Sequence, residues 1–87
     1  MTIMENFYFL KNEQMNKYRI NISSPPDRNK LVAEIFFENV QWAEINQEKN
    51  ILEVEFYSRP DGQPWRIDYS DAVNALNDAK KRLTGSG

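Results

Sequence analysis

Hydrophobic and polar positions alternate cleanly in Tyr18-Arg19-Ile20-Asn21-Ile22, the pattern of a half-buried strand. Ser23-Ser24-Pro25-Pro26-Asp27 ends it, since two prolines cannot sit inside a central strand. Leu31 to Phe37 is β-branched and aromatic, and predicts the next strand. Glu38-Asn39 then reads as a tight turn, because Asn tolerates the positive φ of a hairpin. A third strand follows from about Val40 to Asn46, and Gln47-Glu48-Lys49-Asn50 turns the chain again. From Ile51 to Tyr57 the alternation is clearest, with Leu52, Val54 and Phe56 on one face and Glu53, Glu55 and Tyr57 on the other. Arg59-Pro60-Asp61-Gly62-Gln63-Pro64 has turn chemistry, and Trp65 to Ile67 is expected to add a short edge strand.

The period changes after Asp68. Tyr69, Ala72, Val73, Leu76, Ala79 and Leu83 follow the i, i+3, i+4, i+7 stripe of an amphipathic helix. Asp68 or Ser70 can cap it, Asp71 suits the positive end of its dipole, and Lys80, Lys81 and Arg82 suit the negative end. These elements predict an α+β fold, an antiparallel β-meander of three to four strands packed against one C-terminal helix. The helix is expected to cover the Leu52/Val54/Phe56 face, which would otherwise meet water. Residues 1–17 match neither period and are read as an N-terminal appendage whose Phe7-Tyr8-Phe9 cluster docks elsewhere; 18–84 form a single domain, and 85–87 a linker-like tail.

Composition narrows the function classes. The chain has 87 residues, enough for one domain. It has neither Cys nor His, which removes disulfides, thiolate nucleophiles, imidazole bases and the usual zinc ligands. No catalytic, cofactor-binding or metal-binding residues are expected, and no enzyme activity. Eleven Lys and Arg against thirteen Asp and Glu give −2, without the basic excess of nucleic-acid modules. No run approaches the roughly 18 apolar residues of a membrane span, and Met1 to Leu10 lack the basic start of a signal peptide. A cytoplasmic location fits best.

The near-neutral total conceals a local imbalance. Residues 31–57 hold six glutamates (Glu34, Glu38, Glu44, Glu48, Glu53, Glu55) and one base, Lys49, a net of −5. A hairpin at Glu48-Lys49 places Ala43 and Ile45 beneath the helix, and leaves Trp42 and Glu44 beside Glu53 and Glu55 on the opposite face. Three readings compete for that face. Its glutamates can simply keep an open sheet soluble, with cations pairing across strands. They can steer a basic protein onto aromatic anchors, in which case Trp42, Glu44, Glu53, Glu55 and Tyr57 are the partner-binding residues. A carboxylate pair for acid–base or metal chemistry is the third, and an open face gives it no exclusion of water. One consequence of a two-residue turn at Glu38-Asn39 is awkward: it sets Ile35, Phe37 and Val40 on the same face as Trp42, an apolar patch that residues 7–10 or a second copy would have to cover. Trp65 reads as an aromatic plug between loop and helix, without a pocket beside it.

Pro25-Pro26-Asp27, LVAEIFF (31–37), QWAEI (41–45), LEVEFYSRPDGQPW (52–65) and AKKRL (79–83) together resemble small bacterial proteins, uncharacterised or grouped with the immunity proteins of polymorphic toxin systems. The resemblance spans roughly residues 18–83. It implies a small α+β protein that neutralises a cognate toxin domain, and it carries over no inhibitory residue. The functional expectation is therefore a protein-binding module, immunity-like, that occludes a basic partner through an acidic, aromatic sheet face. The alternative is a small structural homo-oligomer, such as a homodimer, or a regulatory subunit with no toxin partner.

Overall fold

The computed structural model describes residues 17–85; the expectations placed on residues 1–16 lie outside the described residues. Four strands, β1 (Tyr18–Ser23), β2 (Val32–Phe37), β3 (Val40–Asn46) and β4 (Glu53–Phe56), form one antiparallel sheet in the order β1-β2-β3-β4. Among the described residues a single helix, α1 (Tyr69–Thr84), packs on one face. This is the expected α+β meander. Trp65 to Ile67 adds no strand: those residues run irregularly into the helix, and the Trp65 indole donates instead to the Tyr57 carbonyl at 2.7 Å.

The turn between β2 and β3 explains how the awkward apolar patch is avoided. Glu38 and Asn39 both take positive φ, 53° and 65°, the requirement of the two-residue turn whose twist matches a hairpin. Phe37 pairs with Val40 and Phe36 with Gln41, but Ile35 then pairs with Ala43. Trp42 is an extra residue, a β-bulge. Past it the alternation is reset, so that Ile35, Ala43 and Phe56 share one row and Ala33, Ile45 and Val54 the next. The bulge also turns the Trp42 ring to the helix side, where it meets Phe37 edge-on at 5.2 Å and Phe56 at 5.4 Å. Sequence alternation had placed Trp42 on the outer face. It is instead 8% exposed, within the core cluster of Ala33, Ile35, Phe37, Ala43, Ile45, Ala75 and Ala79.

Asp68 caps α1, its carboxylate accepting from the Asp71 amide at 3.2 Å. Gly85 closes the other end in the left-handed region (φ 73°), with its amide donating to the Lys81 carbonyl at 2.9 Å. Gly85 is thus the C-terminal stop of the helix as well as the first residue of the tail. The buried stripe centres on Ala75 and Ala79, with Ala72, Leu76 and Leu83 partly buried around them. Tyr69, expected on that stripe, is 83% exposed, and Val73 lies at the margin of exposure. Small alanines let the helix approach β2 closely. Its other ties run to the β1 side, where the Tyr18 hydroxyl donates to Asp78 and Lys17 pairs with Asp71 at 3.7 Å. Burial, reinforced by the Asp78 carboxylate, pushes the Tyr18 phenol up to about 12.

That placement corrects the expected cover. The helix lies over β1 and β2, touches β3 less, and leaves the β4 part of the same face open. Leu52, Val54 and Phe56, the residues assigned to lie under it, are all exposed, Phe56 at 59%.

Candidate functional site

The site is built around β4, an edge strand with a different chemistry on each face. On the outer face, register aligns Asn21, Glu34, Glu44 and Glu55 in one row across all four strands, with Glu53 beside Asn46 one step along. Three adjacent carboxylates would repel one another. The segment between β1 and β2 answers this, because the two prolines turn it over the outer face and bring Arg28 between the acids. Arg28 donates through Nε to Glu44 at 3.0 Å and through Nη2 to Glu55 at 2.8 Å, with Nη2 also 2.8 Å from the Glu44 carboxylate. Its Glu44 hydrogen bond, with the adjacent negative charge, raises the guanidinium further above its ordinary value. Glu48 holds the same segment by accepting from the Asn29 and Lys30 amides at 3.2 and 3.0 Å. Val32, whose side chain alternates to this outer side, is fully buried there.

The five residues proposed from sequence therefore separate. Trp42 is in the core on the opposite side, for the bulge reason given above. Glu44 is on the outer face but buried, and its carboxylate is fully engaged: Arg28, the Tyr57 hydroxyl at 3.3 Å and the Asn46 side-chain amide at 3.3 Å all donate to it. Tyr57 lies half-buried, its phenol pushed up by burial and by the negative charge of Glu44. Glu53 and Glu55 remain within reach of a partner, paired with Lys49 at 3.5 Å and with Arg28. The acidic patch is real in sequence but partly neutralised in space, and Arg28, the cation shared by Glu44 and Glu55, stands outside the segment that carries the acids.

The other face of β4 is what sequence reasoning missed. Leu52, Val54 and Phe56 form an exposed apolar strip, while Trp42 and Ile45 continue it into the core. On α1, Asp71, Asp78 and Arg82 mark the side toward β1. Helical geometry then turns Tyr69, Val73, Leu76 and Lys80 to the opposite flank, the one nearer β4. The signal for this was present: a stripe of alanines at 72, 75 and 79 defines a narrower buried face than the six-residue stripe that includes Tyr69 and Val73.

Beyond the end of β4, Phe56, Tyr57, Arg59, Gln63, Pro64 and Trp65 line an open cleft of about 530 Å³. Arg59 forms a bidentate pair with Asp61 at 2.7 and 3.0 Å and lies over the Trp65 ring at 5.3 Å. That hydrogen bonding holds the Asp61 carboxyl down at about 2. A second hollow of about 230 Å³, also lined by Arg59 and Trp65, is bounded by Glu38, Arg66 and the helix start. Trp65 packs against the core, as a plug does, but it borders two hollows where none was expected. Among the described residues no group of three or more acidic side chains is placed to hold a metal ion, and no helix is long and apolar enough to cross a membrane. No family model matches the chain, and neither the curated proteins nor the solved structures contain a match to it.

Proposed function

We propose that this protein is a protein-binding module whose partner docks on β4. The observation that carries the reading is the pairing of an exposed apolar strip with acidic neighbours on one edge strand: Val54 and Phe56 are 41% and 59% exposed, and Glu53 and Glu55 alternate with them. Exposed apolar area supplies affinity, and the carboxylates select and steer a basic partner. Binding here would occlude the partner's basic surface, the mode of action that the immunity-type resemblance implies. Neither an enzyme activity nor a cofactor enters this reading.

The alternative of a homo-oligomer fits the charges less well. Pairing β4 with β4 of a second copy, with like faces aligned, brings Glu55 opposite Glu55 or Glu53 of that copy, and like charges directly opposite destabilise a sheet. The test uses the protein as bait in a lysate of its own organism, beside a Glu53→Gln/Glu55→Gln double variant and a Phe56→Ser variant. A basic protein that the unaltered bait retains, that salt weakens, and that both variants lose at unchanged melting temperature supports the module. Equal retention by all three baits, or self-association in sedimentation with nothing else retained, overturns it.

A further inference from the structure

The ladder between β3 and β4 fixes which backbone groups of β4 are used. The Tyr57 amide donates to the Trp42 carbonyl at 2.9 Å, so the amide and carbonyl groups of Glu55 and Glu53 point to β3 as well. Those of Val54 and Phe56 point the other way. Among the described residues no strand pairs with that edge. Two residues therefore offer outward main-chain donors and acceptors, and the same two carry exposed apolar side chains on the α1 side, with exposed Leu52 just ahead of the strand. Glu53 and Glu55 alternate between them on the other side.

This combination specifies an occupant. A strand added to the edge completes the ladder through its own main chain. Its side chains on the α1 side lie beside Leu52, Val54 and Phe56 and must be apolar. Those on the outer side lie beside Glu53 and Glu55 and must be cationic. We infer that β4 binds its partner by strand addition, and that it selects an extended segment in which apolar and basic residues alternate. The inference rests on the protein-binding reading and names the partner element within it. A second copy of this chain is a poorer occupant. Its β4 brings glutamates to glutamates, and its other edge, β1, offers one cation, Arg19, which is already stacked on Phe36 at 4.2 Å.

A seven-residue peptide alternating lysine and valine, blocked at both ends and carrying a fluorophore, tests this by anisotropy against the full chain. Two further peptides carry backbone N-methyl groups, on every valine or on every lysine. In antiparallel addition the valine amides face β4. Methylating them is expected to weaken binding at least tenfold, and methylating the lysines to leave it within about twofold. A peptide alternating glutamate and valine should not bind, and Glu53→Lys should reduce affinity for the lysine peptide while leaving the melting temperature in place. Equal effects of the two methylation patterns would overturn strand addition in favour of docking on a face. Absence of binding by every peptide would overturn it too, and concentration-dependent self-association of the free chain would transfer the edge to a second copy. If the peptides fail while the lysate partner is still lost with Phe56→Ser, only the mode of binding falls; if both fail, the module reading falls with it.

Discussion

Ile35 and Phe56 stand in the same row of the sheet, on the same face, two strands apart. Ile35 is fully buried and Phe56 is 59% exposed. Both lie on an apolar face of their strand: β2 (VAEIFF) is apolar at every position but Glu34 and β4 alternates, so the presence of an apolar face does not separate them. Helix placement does. Alanines 72, 75 and 79 give α1 a narrow apolar edge that fits closely over β1 and β2, and Asp71 and Asp78 anchor it toward β1. A helix held there cannot also reach β4. Alternation reports that a strand has an apolar face; whether that face is covered depends on how wide the covering element is and where it is tied.

The contrast is sharpest under truncation. Ile35→Ala should cost about 2–5 kcal/mol, a large part of the stability of so small a domain, whereas Phe56→Ala should cost about 1 kcal/mol or less. Urea unfolding of the two variants checks this. Comparable losses would break the comparison, because they would mean that β4 is covered in solution. Next in size is Arg28→Ala. It removes the cation between Glu44 and Glu55 and leaves the buried Glu44 carboxylate with Tyr57 and Asn46 alone. The melting temperature should fall clearly more than for Arg59→Ala, whose partner Asp61 is at the surface.

A smaller effect tests the tie that holds the helix on the β1 side. The Tyr18 phenol is raised in the folded state from 10.0 to about 12, so its contribution is complete below pH 10 and is lost as pH rises through about 12. Thermal melts between pH 9 and 12 should show a steeper alkaline decline for the unaltered protein than for Tyr18→Phe; parallel declines would remove Tyr18 as the anchor. Smallest is the turn, remote from both regions. Glu38→Asn should stabilise by a few tenths of a kcal/mol, because Asn accepts positive φ more readily than Glu.

The strands, the helix and the capping role of Asp68 were legible because each rests on local chemistry. Periodicity marked β1 to within a residue and β3 in full, and it marked β4 too long, since Ile51 and Leu52 precede the strand and Tyr57 follows it. The site was less legible. Alternation through Val40 to Asn46 assumed one residue per step, and the bulge at Trp42 breaks that assumption with no Gly or Pro to announce it. The neutralisation of Glu44 and Glu55 was hidden for another reason: Arg28 is 16 residues from one partner and 27 from the other, and only the path of the loop brings them together. Glu53, Glu55 and Tyr57 fell on the outer face because no irregularity separates them from the turn that sets their parity.

The bulge at Trp42 has a consequence for how the gene of such a protein can change length. Removing one residue from a strand ordinarily turns every later side chain to the wrong face. Here Gln41 pairs with Phe36 and Ala43 with Ile35, so excision of residue 42 alone would join two segments already in phase. The chain would lose an aromatic ring from its core and keep the orientation of every other strand residue. A frame-preserving deletion at this codon is thus a repacking event and not a change of topology.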